Sequence, residues 1–349
     1  AVLATLLKHE MWRDEIVMWL IARDSHSIPE MLRVIKYGGH PSLWFLGLYG
    51  LKHLTHDPAA MQFYHYGLVV AAAFVFLKWA PFPRLLRALF LFGYFPFYEY
   101  AVKSRSYILG ILLLFLCCAL YRIRHKSYLG IGAALFLLCQ TSALGLLIAM
   151  AFAFSLLLEI VTDRNLLRSG EADVRQLVAG AAVFVAGVAN AVLQLIPPAD
   201  SGFATEWNFK WWPAMFLEML STARVAFFPL LRDMLFKTQA VPLDGLLGFS
   251  LLAALPFLIG RRLFALAFYG TATAALLAFF YVKLLGHVWH HGHLYYIFIA
   301  GLWISSQLTR EKGRSNSGGA GGMPRWAVAA TAMLMVFQGV TGLRAHGRD

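Results

Sequence analysis

The sequence predicts an all-α protein, a polytopic bundle of transmembrane helices. Three observations point there. Hydrophobic residues make up 60% of the 349 residues and charged residues only 14%, with a mean hydropathy of +0.64. A soluble globular domain is about half apolar and about a quarter charged, so this chain lacks the polar surface to cover itself in water. Apolar runs also recur that approach the roughly 20 residues a helix needs to cross the hydrocarbon core. Finally, the apolar–polar alternation of a membrane β-barrel is absent, which leaves helices to satisfy the backbone in lipid.

The apolar runs fall at 42–55, 60–79, 85–101, 106–121, 128–141, 142–161, 176–196, 243–259, 263–284, 294–309 and 326–343. They predict about 11–12 spans. Basic clusters punctuate them: Arg122, Arg124, His125 and Lys126; Arg164, Arg168 and Arg175; Arg261 and Arg262; Arg310, Lys312 and Arg314. A net charge of +12 often marks a nucleic-acid partner. Here the cations sit in short clusters between apolar runs, the positive-inside pattern, and no nucleic acid is expected. Those clusters mark cytoplasmic loops and put 102–105, 197–242, 285–293 and 344–349 on the extracytoplasmic side. The 197–242 loop, with Trp207, Trp211 and Trp212, is expected to hold interfacial helices. Ser-Gly-rich 315–322, within 311–324, reads as a flexible cytoplasmic linker. Cys117, Cys118 and Cys139 lie inside apolar runs and read as core hydrophobes. The chain opens on what resembles the end of a helix. It is expected to be a single transmembrane domain over 1–349 from a longer protein, with a half-helix before it and a soluble part after it.

Residues 10–41 are too polar to span. Ile16, Val17, Leu20 and Ile21 recur at helical spacing while Arg13, Asp14, Arg23 and Asp24 take the other side, which predicts an interfacial amphipathic helix. Ser27 to Glu30, with Pro29 in the first turn, starts a second short helix. Gly38–Gly39 breaks it, and Pro41 opens the next run. One point of topology stays open. Pro81, Arg84 and Arg87 have cytoplasmic character, so Asp14 and Arg105 share a face only if one early run is re-entrant or those arginines face outward.

Four constellations can carry chemistry. Asp14 and Glu15 are either a solvated flank of the interfacial helix or a general base held at a membrane face, where a carboxylate can take a proton from an acceptor hydroxyl. Tyr37-Gly-Gly-His40-Pro is either a plain turn or a close approach to a ligand. In Glu99 to Tyr107, ionisable residues between two apolar runs are costly unless paired. Glu99 and Lys103, four apart, can pair along a helix. That frees Arg105, whose planar fork suits a phosphate. His287, His290, His291 and His293 invite a metal, but ligand spacing and a local carboxylate are missing. Hydrogen bonding to a phosphate or sugar and a simple His-Trp interfacial belt are the other readings.

The run from Trp12 to Trp44, with its Asp-Glu pair and its Gly-His-Pro-x-Leu-Trp opening of the next span, resembles the first extracytoplasmic loop of GT-C-type glycosyltransferases. These are bacterial relatives of the dolichyl-phosphate-mannose protein mannosyltransferases and of the aminoarabinose transferase of lipid A. The stretches EYAVKSRSY and HHGHLYYIFIAGLW resemble later segments of an uncharacterised bacterial branch, and the likeness runs from residue 9 to about 310. The resemblance implies an inverting transfer of a sugar from a polyprenyl-phosphate donor to a glycan, lipid or protein acceptor, on the outer face of a bacterial inner membrane. It makes Asp14 the catalytic base, with Glu15 supporting it or touching the acceptor. Glu99, Lys103, Arg105 and Tyr107 become substrate-binding, Arg105 and Lys103 facing the lipid phosphate. The resemblance does not fix the roles of the histidines; their positions in the sequence suggest that His40 and His290, His291 or His293 line the donor pocket. No cofactor is implied, although a divalent metal is the one conceivable addition. Two positions depart from the pattern: Gly38 replaces a usual Glu, and Ser106 a frequent Asn. Two other classes compete. A transporter or flippase would show internal repeats and mid-membrane charges, whereas here charges cluster at span boundaries. A histidine acyltransferase would need a partner Asn or Asp that the histidine segment lacks.

Overall fold

The computed structural model describes residues 1–163, 165–170, 172–201, 207–229, 241–315 and 323–347. Among them every regular element is a helix. Arg164, residues 230–240 of the Trp-rich loop and the linker from 316 to 322 lie outside the described residues.

The chain begins with four short helices. These are α1 (Val2–Lys8), α2 (Arg13–Asp24), α3 (Ile28–Ile35) and α4 (Leu43–Leu51). The α2 helix forms as expected, but its buried face is not the predicted one: Val17 is exposed, and Met18, Trp19 and Ala22 turn inward instead, where they meet Met31 and Ile35 of α3 and Trp44, Phe45 and Leu48 of α4. Ser27 caps α3 by accepting from Glu30 N at 3.3 Å. The expected span at 42–55 is corrected. Its helix has nine residues, about 13 Å long, under half of the hydrocarbon thickness. Polar residues from Lys52 onward end it, and the Lys52 ammonium turns back onto the carbonyls of Arg23 and Ser25. Helix α4 is therefore part of a cap.

The helices α5 (Ala59–Trp79), α6 (Arg84–Leu91), α7 (Tyr100–Val102), α8 (Tyr107–Tyr121), α9 (Tyr128–Cys139), α10 (Ala143–Thr162) and α12 (Val174–Leu195) follow, with the short α11 (Asn165–Arg168) before the last. Then come α13 (Pro213–Phe227), α14 (Val241–Ile259), α15 (Leu263–Val282), α16 (Val288–Ser315) and α17 (Arg325–His346). Six of them, α5, α10, α12, α14, α15 and α17, are long and apolar enough to cross a membrane; α8 and α9 are shorter apolar helices. The segment from α6 to α7 is broken. Pro96 removes a backbone donor, and Phe95–Glu99 widens into a π-helical turn. Helix α16 runs through the middle of the bundle, with residues 291–308 buried.

Contacts at the helix ends define two faces. Near the start of α5, Gln62 donates to the carbonyl of Leu6 at 2.9 Å, so α5 begins beside the cap. Just past its end, the Pro81 carbonyl accepts from Arg310 at 3.0 Å, so α5 ends beside the foot of α16. At that same foot Arg124 meets Glu159 of α10 and Glu311 of α16. The opposite ends return to the cap, where Ser42 N donates to Gln194 of α12 at 2.7 Å and Leu43 N to the Gln140 carbonyl at 3.2 Å. Arg84 and Arg87 thus lie on the face of the other basic loops, while Arg105 lies on the face of Asp14. The early run that fails to cross is what puts them there. In the 197–242 stretch, α13 runs alongside α14 in the same direction: Leu217 backs onto Gly245 and Leu220 onto Gly248.

Candidate functional site

The site grows from the N-terminus of α2. The Glu15 side chain reaches back to accept from Trp12 N at 2.9 Å, the return half of a capping box. Its second oxygen accepts from Ser104 N at 2.5 Å, and His9 Nε2 lies 2.9 Å away. Only 1% of Glu15 is exposed. Burial pushes its carboxyl up, but the His9 ring and the two amides outweigh that and hold it below the ordinary carboxylate range. Glu15 therefore joins the start of α2 to the 103–106 loop.

Asp14, one residue earlier, faces out. About half of its side chain is exposed (49%), and its Oδ2 lies 3.3 Å from Arg105 Nη2. Arg105 itself is 7% exposed, and its Nε and Nη1 have no hydrogen-bond partner. Its guanidinium lies 5.1 Å from the Tyr107 ring and 5.2 Å from that of Trp289.

Lys103 is not equally available. Its Nζ meets both Glu99 oxygens at 2.9 and 3.0 Å, the i,i+4 pair the spacing predicts. The Tyr94 hydroxyl donates to the same carboxylate at 2.8 Å. Three aromatic rings enclose the ammonium: Trp12 at 4.1 Å, Trp289 at 5.6 Å and Tyr98 at 5.7 Å. Its charge is neutralised in place, which leaves Arg105 as the cation with donors to offer.

His40 follows a turn closed by Gly39 in the left-handed region, φ 63°. Burial draws its imidazole down to about 4; Arg105 adds to that, and Asp14 opposes it. His40 is thus neutral at pH 7 and sits within the field of the Asp14–Arg105 pair. The start of α16 supplies the far wall. The His290 ring lies 5.7 Å from that of Tyr107, and its Nδ1 accepts from His287 N at 3.0 Å. His293 packs 5.2 Å from Tyr107, with Nδ1 3.0 Å from the Tyr100 hydroxyl. His291 turns the other way: its Nε2 lies 2.8 Å from the Leu285 carbonyl, and its ring packs on Phe280 of α15. Among the described residues no group of three or more His, Cys, Asp or Glu is arranged to hold a metal ion.

The structure thus brings Asp14, Arg105, His40, Tyr107, His290 and His293 to one place. Glu15, Glu99 and Lys103 act beneath them, and His291 stands apart. His9, Trp289 and the amide of Ser104 were not singled out in the sequence. The first two are aromatic residues among many, and a backbone amide has no sequence signature. Chemically the arrangement offers an accessible carboxylate beside a guanidinium with two unused donors. Unused donors on a buried arginine are costly, and an anionic oxygen would satisfy them. In comparisons with known proteins, no protein-family model, no curated protein and no solved structure matches the chain.

Proposed function

We propose that this multi-pass membrane protein is a glycosyltransferase of the GT-C type, moving a sugar from a polyprenyl-phosphate donor to a hydroxyl-bearing glycan, lipid or protein with inversion. The observation that carries the reading is the pairing of half-exposed Asp14 with Arg105, whose Nε and Nη1 are unused. In this reading the donor phosphate takes those two nitrogens and competes for Nη2, which releases Asp14. The Asp14 carboxylate then accepts the acceptor's hydroxyl proton. The acceptor oxygen bonds to the anomeric carbon from the face opposite the phosphate. The bond from that carbon to the phosphate oxygen breaks, and the lipid phosphate leaves with its electron pair, its charge held by Arg105. In this reading the sugar lies against His40, His290 and Tyr107, and the prenyl tail lies among the apolar helices.

The loops that link spans support an orientation. On the face away from the site these carry Lys78, Arg84, Arg87, Arg122, Lys126, Arg175, Arg261, Arg262 and Arg310. On the site's face the loops after α5 carry Lys103, Arg105, Lys210 and Lys283, and the cap before α5 adds Lys8, Arg13, Arg23, Arg33, Lys36 and Lys52. The basic excess of the loops after α5 on the face away from the site supports an extracytoplasmic site, in this reading on a bacterial inner membrane.

The test is Asp14→Asn in the purified chain, offered labelled polyprenyl-phosphate sugars. Loss of a general base predicts a drop in transfer of about 10²–10⁴-fold, with donor binding retained. Transfer at the parent's rate removes Asp14 from the role. A transporter would instead move labelled donor across a liposome wall without transferring its sugar.

A further inference from the structure

A second polar site lies on the opposite face. The turn between α14 and α15 carries Arg261 and Arg262, and Gly260 at φ 76° lets the chain reverse there. The turn borders a cavity of about 380 Å³, whose other walls are the lower part of α16 and the start of α17. Arg262 is fixed against that wall, its Nε donating to Thr309 Oγ1 at 3.0 Å. Arg261 is exposed. Neither arginine has a carboxylate partner among the described residues. Ser306, which also lines the cavity, is 4% exposed, and its Oγ has no hydrogen-bond partner. Two arginines without a carboxylate and one buried hydroxyl without a partner thus border one cavity, where a buried polar group is normally paired.

The other end of the cavity is apolar. Phe257 and Trp326 line it and are 74% and 57% exposed. In a membrane, exposed apolar surface faces acyl chains, and tryptophan sits at headgroup depth. We infer that this cavity holds the phosphate headgroup of an anionic phospholipid of that leaflet, with its phosphate oxygens on Arg261, Arg262 and Ser306 and its acyl chains over Phe257. A basic pocket between helices at the headgroup level matches an anionic lipid in charge and depth. A soluble phosphate would supply the same oxygens but would leave Phe257 and Trp326 without a role. The inference rests on this face alone and stands or falls apart from the transfer reaction.

The full chain in detergent, titrated with phosphatidylglycerol, phosphatidylcholine and glycerol 3-phosphate, tests it by native mass spectrometry and thermal unfolding. The parent is expected to retain phosphatidylglycerol over phosphatidylcholine and to unfold at a higher temperature with it. The pair Arg261→Gln and Arg262→Gln is expected to weaken phosphatidylglycerol binding by about tenfold or more. Should the double variant misfold, Arg261→Gln alone and Ser306→Ala carry the comparison, since neither breaks a recorded hydrogen bond. Each is expected to weaken lipid binding while unfolding normally in phosphatidylcholine. Equal retention of the two lipids by the parent, or full phosphatidylglycerol binding by the folded variants, overturns the inference. Saturation by glycerol 3-phosphate at the concentration that suffices for phosphatidylglycerol overturns the lipid assignment.

Discussion

Asp14 and Glu15 are consecutive, and successive residues of an α-helix point about 100° apart. One carboxylate therefore turns in to three hydrogen-bonding groups while the other turns out to Arg105. Around them the ordinary pairing rule works: Glu99 takes Lys103, and Arg105 is left with donors to spare. His40 makes this environment measurable. Its folded value of about 4 lies below the ordinary 6.5. Between those values the unfolded chain binds a proton that the folded chain does not. The stability His40 contributes is thus whole above pH 6.5 and is lost as pH falls toward 4. Thermal unfolding at pH 7 and pH 4.5 should show a smaller drop for His40→Gln than for the parent; identical drops would mean that His40 is not held neutral. At this scale much was legible. The pairing of Glu99 with Lys103 follows from spacing, and the suitability of Arg105 from its chemistry. The aromatic enclosure of Lys103 was not legible, because Trp12 and Trp289 lie far apart in the chain. Nor was the turn of His291 away from the site, toward Phe280, distinguishable from its neighbours, since side-chain direction in a histidine-rich helix start depends on what packs against it.

Among the elements, α9 and α12 show how closely these helices approach. A Cβ on Gly180 would run into the Tyr128 backbone, and one on Gly187 would lie 2.8 Å from the Phe136 Cα. Small residues are what let helices meet in lipid, where apolar burial gives no advantage to one neighbour over another. Gly180→Leu should therefore lower stability by about 1–3 kcal/mol, the usual cost of overpacking. Gly270→Leu is the control, for no atom lies within 4 Å of its added Cβ. Equal unfolding temperatures for the two variants in detergent would falsify this account of the crossing. The element that hydropathy misreads is α4. Its apolar stretch is of a length that fits a cap or re-entrant segment better than a span. That signal was present, but the apolar residues before Lys52 resemble the start of a membrane helix. The break at Pro96 was equally visible as a residue, yet the π-helical turn it opens depends on packing against α17.

For the whole molecule, the basic face has its own fastening. Arg124 donates to Glu159 at 2.6 and 2.8 Å and to Glu311 at 2.8 and 3.0 Å, tying the feet of α8, α10 and α16. Helix α16 carries Trp289 and His290 at its other end, so the same rod anchors one face and walls the site on the other. Glu159 is 4% exposed. Arg124→Met would leave that carboxylate only His125, whose Nε2 lies 3.6 Å away, and should cost about 3–5 kcal/mol. Glu311→Gln removes a carboxylate 39% exposed and should cost about 1 kcal/mol or less. Replacing Arg124 and Glu159 together by Met should recover most of the first loss, and detergent unfolding of the three variants measures the order. The helical membrane bundle was legible from composition. Which face each loop occupies was not, because one short run decides the parity of all that follow, and only contacts such as Gln62 with Leu6 and Arg310 with Pro81 fix it.

The join between the cap and the 103–106 loop is one-sided. Glu15 grips the amide hydrogen of Ser104, and the Ser104 hydroxyl, fully buried, has no hydrogen-bond partner. The instruction for holding the two loops together is therefore written asymmetrically. Position 15 must supply a carboxylate of that length, whereas position 104 need only supply a small side chain and a backbone hydrogen, which every residue but proline has. Drift at 104 leaves the geometry of Arg105 untouched, and drift at 15 does not.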